Sequence, residues 1–158
     1  MERPSWWSVR LALPCALSLA VLGAARLAPS DPLTYALSAT PGDLNVNRMP
    51  GVEYDERFTF TVTNPARTAY HVHASSCELV DVMVIPAGDT TPIWQWSRRQ
   101  AFCQHTVDTT IAGGQSWSTM VTWSFAPTDV PDGKLTVIAV FLPSGARAQT
   151  ELDLTDSD

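Results

Sequence analysis

The stretch PIWQWSRRQAFCQ, from Pro92 to Gln104, places two adjacent cations between aromatic side chains. Arg98 and Arg99 cannot both be buried at low cost, because a buried guanidinium needs a charged partner. We therefore predict an exposed turn, made up of Ser97, Arg98, Arg99, Gln100 and Ala101. A rigid dibasic turn suits a partner that accepts arginine, since pre-organisation lowers the ordering cost of binding. A solvated turn without a partner is the alternative interpretation.

The aromatic residues around this turn are candidate core anchors, namely Trp94, Trp96, Phe102 and Trp123. Alternate side chains of a strand face the same side, so Trp94 and Trp96 are expected to lie together. Each is large enough to bury about 150 Å² or more, which favours a place in the core. The alternative is an exposed aromatic platform for a carbohydrate or a peptide.

Histidines raise the question of a metal site. His71 and His73 alternate along a predicted strand and His105 lies elsewhere, and imidazole is a common zinc ligand. No Cys, Asp or Glu stands beside them at ligand spacing, so we predict a solvent-facing strand side, with no metal and no cofactor. The chain also has no GxSxG, HExxH or glycine-rich phosphate loop, and we predict no enzyme activity.

The beginning of the chain resembles an export signal. A short basic start with Arg3 and Arg10 precedes the apolar run LALPCALSLAVLGAA at 11–25, which ends in small residues. We predict a signal peptide at 1–25 and an exported protein, whether secreted, periplasmic or at the cell surface. The run is shorter than the roughly 20 residues that span a bilayer, so membrane contact is expected only through an uncleaved signal.

The charge of the chain argues against nucleic acid as a partner. The formal net charge is −6, and removal of 1–25 takes away one acidic and two basic residues, which gives −7. No basic patch is left that could neutralise several phosphates.

Two cysteines remain beyond the predicted signal, Cys77 and Cys103. An even pair in an exported chain is typical of a disulfide. Closing a loop of about 26 residues would stabilise the fold by roughly 3 to 4 kcal/mol, and the bond would stiffen the adjacent dibasic turn. Two separate buried thiols are the alternative, which a count of free thiols under non-reducing conditions would reveal.

Alternation with period two predicts an all-β protein of seven to eight strands in two antiparallel sheets packed face to face. One short strand is expected near PLTYALSA, and the others lie at 58–63, 69–75, 79–85, 93–96, 116–125, 134–142 and 148–154. The predicted organisation is a linker with a candidate first edge strand at 26–52, a β-sandwich domain at 53–155 and a polar tail at 156–158.

Several motifs stand in an order that resembles the BsuPI-type proteinase inhibitor domain. They are Trp94-x-Trp96-Ser97, Phe102-x-Gln104, Gly113-Gly114-Gln115-Ser116, Trp123, and Pro131-x-Gly133 leading into Val137-x-Ala139, after FTFTVTNPARTAYHVHASSCELVDVMV. The similarity covers 58–154. The resemblance implies an immunoglobulin-like β-sandwich and, for the namesake of the family, inhibition of a serine protease.

Two features depart from the family pattern. The namesake is intracellular, whereas this chain begins with a predicted export signal, and Arg99 stands where the family usually has glycine. We predict an exported, inhibitor-like domain that binds a serine protease or another protein through a loop or an edge strand. The alternative is a non-inhibitory structural or adhesion-type module of the cell envelope, which would be inert in a protease assay. The target and the oligomeric state stay open.

Overall fold

The computed structural model describes residues 31–157, so the predicted signal peptide at 1–25 lies outside the described residues. Ten strands are present in them: β1 (Thr34–Thr40), β2 (Leu44–Val46), β3 (Tyr54–Thr63), β4 (Tyr70–Ala74), β5 (Val80–Pro86), β6 (Trp94–Gln95), β7 (Val107–Ile111), β8 (Ser116–Phe125), β9 (Gly133–Phe141) and β10 (Ala146–Asp156). Two short 3₁₀ helices occupy Trp96–Arg99 and Pro127–Asp129. No helix in this part of the chain is long and apolar enough to cross a membrane.

The strands form two principal sheets and a small one. The first sheet has the order β1-β3-β8, the second has the order β2-β10-β9-β5-β6, and β4 pairs with β7. Every pair is antiparallel except β2 with β10. The prediction of an all-β, immunoglobulin-like sandwich is confirmed, with ten strands in the described residues instead of seven or eight.

Side-chain alternation explains why β3 and β8 form the sheet that they do. On β3 the apolar side chains of Phe58, Phe60 and Val62 are buried, while the threonines between them are partly exposed. β8 repeats this pattern, with Val121 and Trp123 buried beside exposed Ser and Thr. β-branched and aromatic residues fit such a half-buried pleated surface. The buried sides of β3 and β8 therefore form one face of the core.

Aromatic rings join the two principal sheets across this core. Phe58 of β3 lies 6.3 Å from Trp94 of β6, and Phe60 lies 6.5 Å from Phe141 of β9, measured between ring centroids. Aromatic pairs at such distances stabilise a core beyond the area that they bury.

A buried asparagine fastens the corner where β3 ends. Asn64 is 1% exposed, and its side-chain amide donates to the carbonyls of Thr68 and Ile111, each at 2.9 Å. The carbonyl of Asn64 in turn accepts from the backbone N–H of Gly114 at 2.8 Å. Neighbouring Gly113 lies so close to the chain that a Cβ atom there would stand 2.3 Å from the carbonyl oxygen of Arg67. The corner therefore requires glycine and pairs its buried polar groups.

Two strands do not appear in the sequence-based prediction. β2 has only three residues, and it is defined by parallel pairing with the end of β10. β7, with the sequence VDTTI, buries only Ile111, and it pairs with β4. β2 alternates in burial but is too short to give a clear signal, and β7 has no alternation of apolar residues.

Candidate partner-binding site

Asp81 of β5 organises the beginning of the dibasic turn. Its carboxylate is nearly buried, with the residue 7% exposed, and it accepts three hydrogen bonds. The donors are Gln95 Nε2 at 2.6 Å, the backbone N–H of Ser97 at 3.0 Å and Ser97 Oγ at 3.0 Å. A carboxylate with several donors is stabilised without a cation, so one buried acid connects the sheet to the turn.

These bonds end strand β6 and begin a 3₁₀ helix. The prediction of a strand at 93–96 is wrong in its extent, because β6 covers only Trp94–Gln95 and the chain is helical at Trp96–Arg99. The cause is Asp81, which draws the N–H and hydroxyl of Ser97 toward β5 and turns the backbone away from the extended path.

The two arginines of the turn are exposed. Arg98 and Arg99 form no ion pair with any of residues 31–157. Extended backbone resumes at Gln100, with φ −125° and ψ 150°, and both Gln100 and Ala101 are exposed. The arginines therefore lie on a helical turn, and the chain is extended again at Gln100.

A disulfide fixes the far end of this segment. Cys77 and Cys103 are bonded, with 5.5 Å between their Cα atoms. The backbone N–H of Cys77 also donates to the carbonyl of Cys103 at 3.4 Å. The segment from Ser97 to Cys103 is thus held at one end by Asp81 and at the other by a covalent bond.

The four aromatic residues predicted as core anchors divide into two pairs. Trp94 and Trp123 are 8% and 3% exposed, and their ring centroids lie 6.2 Å apart. Trp96 and Phe102 are only partly buried, because the 3₁₀ helix brings Trp96 to the margin of the core, where its ring centroid is 6.4 Å from that of Trp94. These two side chains line a surface groove.

The groove has a volume of about 220 Å³ and lies between β8 and the segment that carries the disulfide. Trp117, Thr119, Met120 and Val121 of β8 line one side, and Cys77, Leu79, Val80, Trp96 and Phe102 line the other. Met120 is 59% exposed. The lining carries no charged side chain, so this groove suits an apolar group.

The side of β4 that carries His71 and His73 faces solvent. His71 and His73 are exposed on β4, and His73 Nδ1 lies 2.6 Å from the carboxylate of Asp108 on β7. His105 Nε2 lies 3.6 Å from the sulfur of Cys103. Among residues 31–157, no three His, Cys, Asp or Glu side chains gather into a group that could hold a metal ion.

A second buried acid, Glu56 of β3, lies outside the turn. It is 0% exposed, and its Oε1 accepts a hydrogen bond from the backbone N–H of Gly42 at 3.1 Å. Its Oε2 has no hydrogen-bond partner in the described part of the chain. Burial raises the pKa of Glu56 above its usual range, and the hydrogen bond from the backbone N–H of Gly42 opposes the effect.

A family model described as BsuPI, intracellular proteinase inhibitor, matches residues 42–145, which is more than half of the chain. The chain belongs to the BsuPI family. No curated protein matches it. The matched range contains the dibasic turn, both cysteines of the disulfide and all residues that line the groove, so these features lie within the BsuPI domain.

The turn and the cysteines can be recognised in the sequence, whereas the role of Asp81 and the groove were not predicted. The signal for Asp81 is a single acid inside the apolar run LVDVMVI. A charge in a buried strand needs hydrogen-bond partners, and the nearby Ser97 and Gln95 are suitable donors. The groove has no comparable signal, because its two sides come from distant parts of the sequence.

Proposed function

We propose that this BsuPI domain inhibits a serine protease by presenting the segment from Ser97 to Cys103. The observation that carries the proposal is the attachment of this exposed segment at both ends, to Asp81 through hydrogen bonds and to Cys77 through a disulfide. A segment that is ordered before binding loses little conformational entropy in the complex.

The shape of the segment suggests how it meets a protease. Peptides commonly bind partners in extended form, through backbone hydrogen bonds. Gln100 is extended and exposed, whereas Arg98 and Arg99 lie on the helical turn just before it. In this proposal the extended part enters the cleft, and the two arginines select a protease that accepts basic side chains.

We also propose that the protein is exported. The description of the family names an intracellular inhibitor, but a Cys77–Cys103 disulfide suits an oxidising compartment. The apolar run at 11–25 supports the same proposal. Sequencing the N-terminus of the protein recovered from culture medium or periplasm should give a residue near 26; recovery of the full-length chain from the cytosol alone would contradict export.

Inhibition is tested with the purified protein against a panel of trypsin-like and subtilisin-like proteases. The expected result is a stoichiometric loss of activity with at least one protease, while the chain itself remains uncut. The variant R98S/R99S should inhibit an arginine-accepting protease at least about tenfold more weakly, because each tenfold corresponds to only about 1.4 kcal/mol.

The matched control is R67S/R147S, which removes two exposed arginines elsewhere and should inhibit like the unmodified protein. Equal weakening by both double variants would assign the effect to net charge and not to the turn. No inhibition of any protease on the panel would favour a non-inhibitory envelope module.

A further inference from the structure

Strand β8 has an unpaired edge. In the first sheet it stands at the end of the order β1-β3-β8, and β3 is its only ladder partner among the described residues. Apart from the ladder with β3, no backbone hydrogen bond joins residues 116–125 to another segment of the described chain. Along these ten residues the backbone donors and acceptors point alternately toward β3 and toward the edge that has no ladder partner.

Strand β8 carries none of the sequence features that usually keep an edge from pairing with another chain. Natural edge strands are short, charged, bulged or interrupted by proline. β8 has the sequence SWSTMVTWSF, with no charged residue and no proline. The other edge of the same sheet, β1, packs against β10, and the edge strands β2 and β6 have only three and two residues.

The apolar groove runs along this unpaired edge. Thr119, Met120 and Val121 all line it, although their side chains alternate between the two faces of the sheet. A groove that contacts side chains on both faces must pass along the edge of strand β8. Its opposite side is formed by Leu79, Trp96, Phe102 and the disulfide, and its volume of about 220 Å³ suits one large apolar side chain.

Arg98 and Arg99 lie within three residues of Trp96, a residue of the groove. Trp96 lines it and is the first residue of the 3₁₀ helix that carries Arg98 and Arg99. Both arginines are exposed and have no ion-pair partner among residues 31–157. An acidic residue of a bound chain would be attracted there, with an energy that falls as salt is added.

We propose that β8 and this groove bind an extended segment of a partner protein, which adds a fourth strand to the sheet β1-β3-β8. The segment places one large apolar side chain in the groove and an acidic residue near Arg98 and Arg99. Backbone pairing supplies affinity and the groove supplies selectivity, as in other cases of strand addition. Arg98, Arg99 and Phe102 belong both to this site and to the segment from Ser97 to Cys103. Strand addition at β8 nevertheless requires no protease, and peptide binding is measured separately from inhibition.

The test uses a fluorescein-labelled peptide with a central tryptophan, alternating threonine and valine on both sides, and aspartate at each end. Its symmetry makes the direction of strand addition irrelevant. Fluorescence anisotropy with the full protein should show saturable binding. A peptide with lysine in place of aspartate should bind more weakly at low salt. A peptide N-methylated at every residue has no backbone N–H left to donate to a ladder and should not bind.

Thr119→Lys tests the location of the site, because it puts a charge into the groove. It should weaken binding of the aspartate peptide by at least about tenfold, which corresponds to about 1.4 kcal/mol. The matched control is Ser38→Lys, an exposed position on β1 at the opposite edge of the same sheet, and it should bind like the unmodified protein.

Several outcomes would overturn the proposal. They are equal binding of the N-methylated peptide, unchanged binding by a folded Thr119→Lys variant, and no saturable binding of the aspartate peptide. Light scattering that shows a dimer, which Thr119→Lys converts to a monomer, would assign the edge to a second copy of this chain. If Thr119→Lys does not fold, the difference in binding between the aspartate peptide and its N-methylated form still tests strand addition. If the protein inhibits a protease but does not bind the aspartate peptide, strand addition is contradicted and the proposed inhibition is not.

Discussion

The carboxylate of Asp81 binds both the backbone N–H and the hydroxyl of Ser97, each at 3.0 Å. Asp81 belongs to β5, inside the larger sheet, whereas Ser97 is the second residue of the 3₁₀ helix at the surface. The shape of the exposed dibasic turn is thus determined by an acid in the interior of the domain.

Replacing Asp81 by alanine should destabilise the fold by about 2 to 3 kcal/mol, because the partly buried donors of Ser97 and Gln95 lose their acceptor. Urea denaturation measures the change in the free energy of unfolding. Asp55→Ala, at an exposed position on β3, is the control and should change stability by less than about 0.5 kcal/mol. Equal effects of the two substitutions would show that the Asp81 hydrogen bonds contribute little.

Removing the disulfide should lower the stability of the fold, because the unfolded chain gains conformational entropy. The Cys77–Cys103 bond spans a sequence separation of 26 residues, and the loop-closure model predicts a loss of about 3 to 4 kcal/mol for Cys77→Ser/Cys103→Ser. Urea denaturation of the oxidised protein, the reduced protein and the double variant measures it. The reduced protein should match the variant; coincident curves for all three would contradict a stabilising role.

Glu56 should make stability depend on pH. Burial raises its pKa in the folded state, so the folded protein binds this proton more tightly than the unfolded chain. The stabilisation that the protonated Glu56 contributes is fully present below the pKa that this residue has in the unfolded chain. It is lost as the pH rises through the pKa that the residue has in the folded protein. Glu56→Gln keeps an oxygen that can accept from Gly42 and removes the ionisation.

The free energy of unfolding of Glu56→Gln should therefore fall less than that of the unmodified protein between about pH 4 and pH 7. Urea denaturation across this range measures both slopes. Glu53→Gln, which changes an exposed acid nearby, should keep the slope of the unmodified protein. Parallel curves for the unmodified protein and Glu56→Gln would exclude Glu56 as the source of the pH dependence of stability.

Gly113→Ala should destabilise the corner next to Asn64. A Cβ atom at this position would lie 2.3 Å from the carbonyl oxygen of Arg67, so the backbone must shift, at a cost of about 1 to 3 kcal/mol. Thermal or urea denaturation measures the loss. Ala112→Ser, at the exposed neighbouring position, should have little effect, and a loss of the same size there would point to general sensitivity of the loop.

Local patterns predicted most of the fold because burial alternates along a strand independently of its partners. The apolar and polar alternation of β3 and β8 alone indicated which side chains enter the core. Strands β2 and β7 were not predicted, since β2 has only three residues and β7 buries only Ile111, so that neither gives a long alternation.

The candidate site was only partly predictable for the same reason. The exposure of its cations and its disulfide could be predicted from residue type. A guanidinium resists burial, and an even pair of cysteines after a predicted export signal is typical of a disulfide. The helical shape of the turn was not foreseen, since it depends on an acid 16 positions before Ser97.

By itself, the amino-acid sequence determined the β-sandwich class, the resemblance to BsuPI domains and the exposed character of the dibasic turn. These properties depend on local periodicity and on the cost of desolvating single side chains. Only the tertiary structure decided that Asp81 holds Ser97, that Glu56 is buried, and that β8 keeps an unpaired edge beside an apolar groove. Each of these depends on which distant segments the sheets bring together, and strand order is a property of the whole fold.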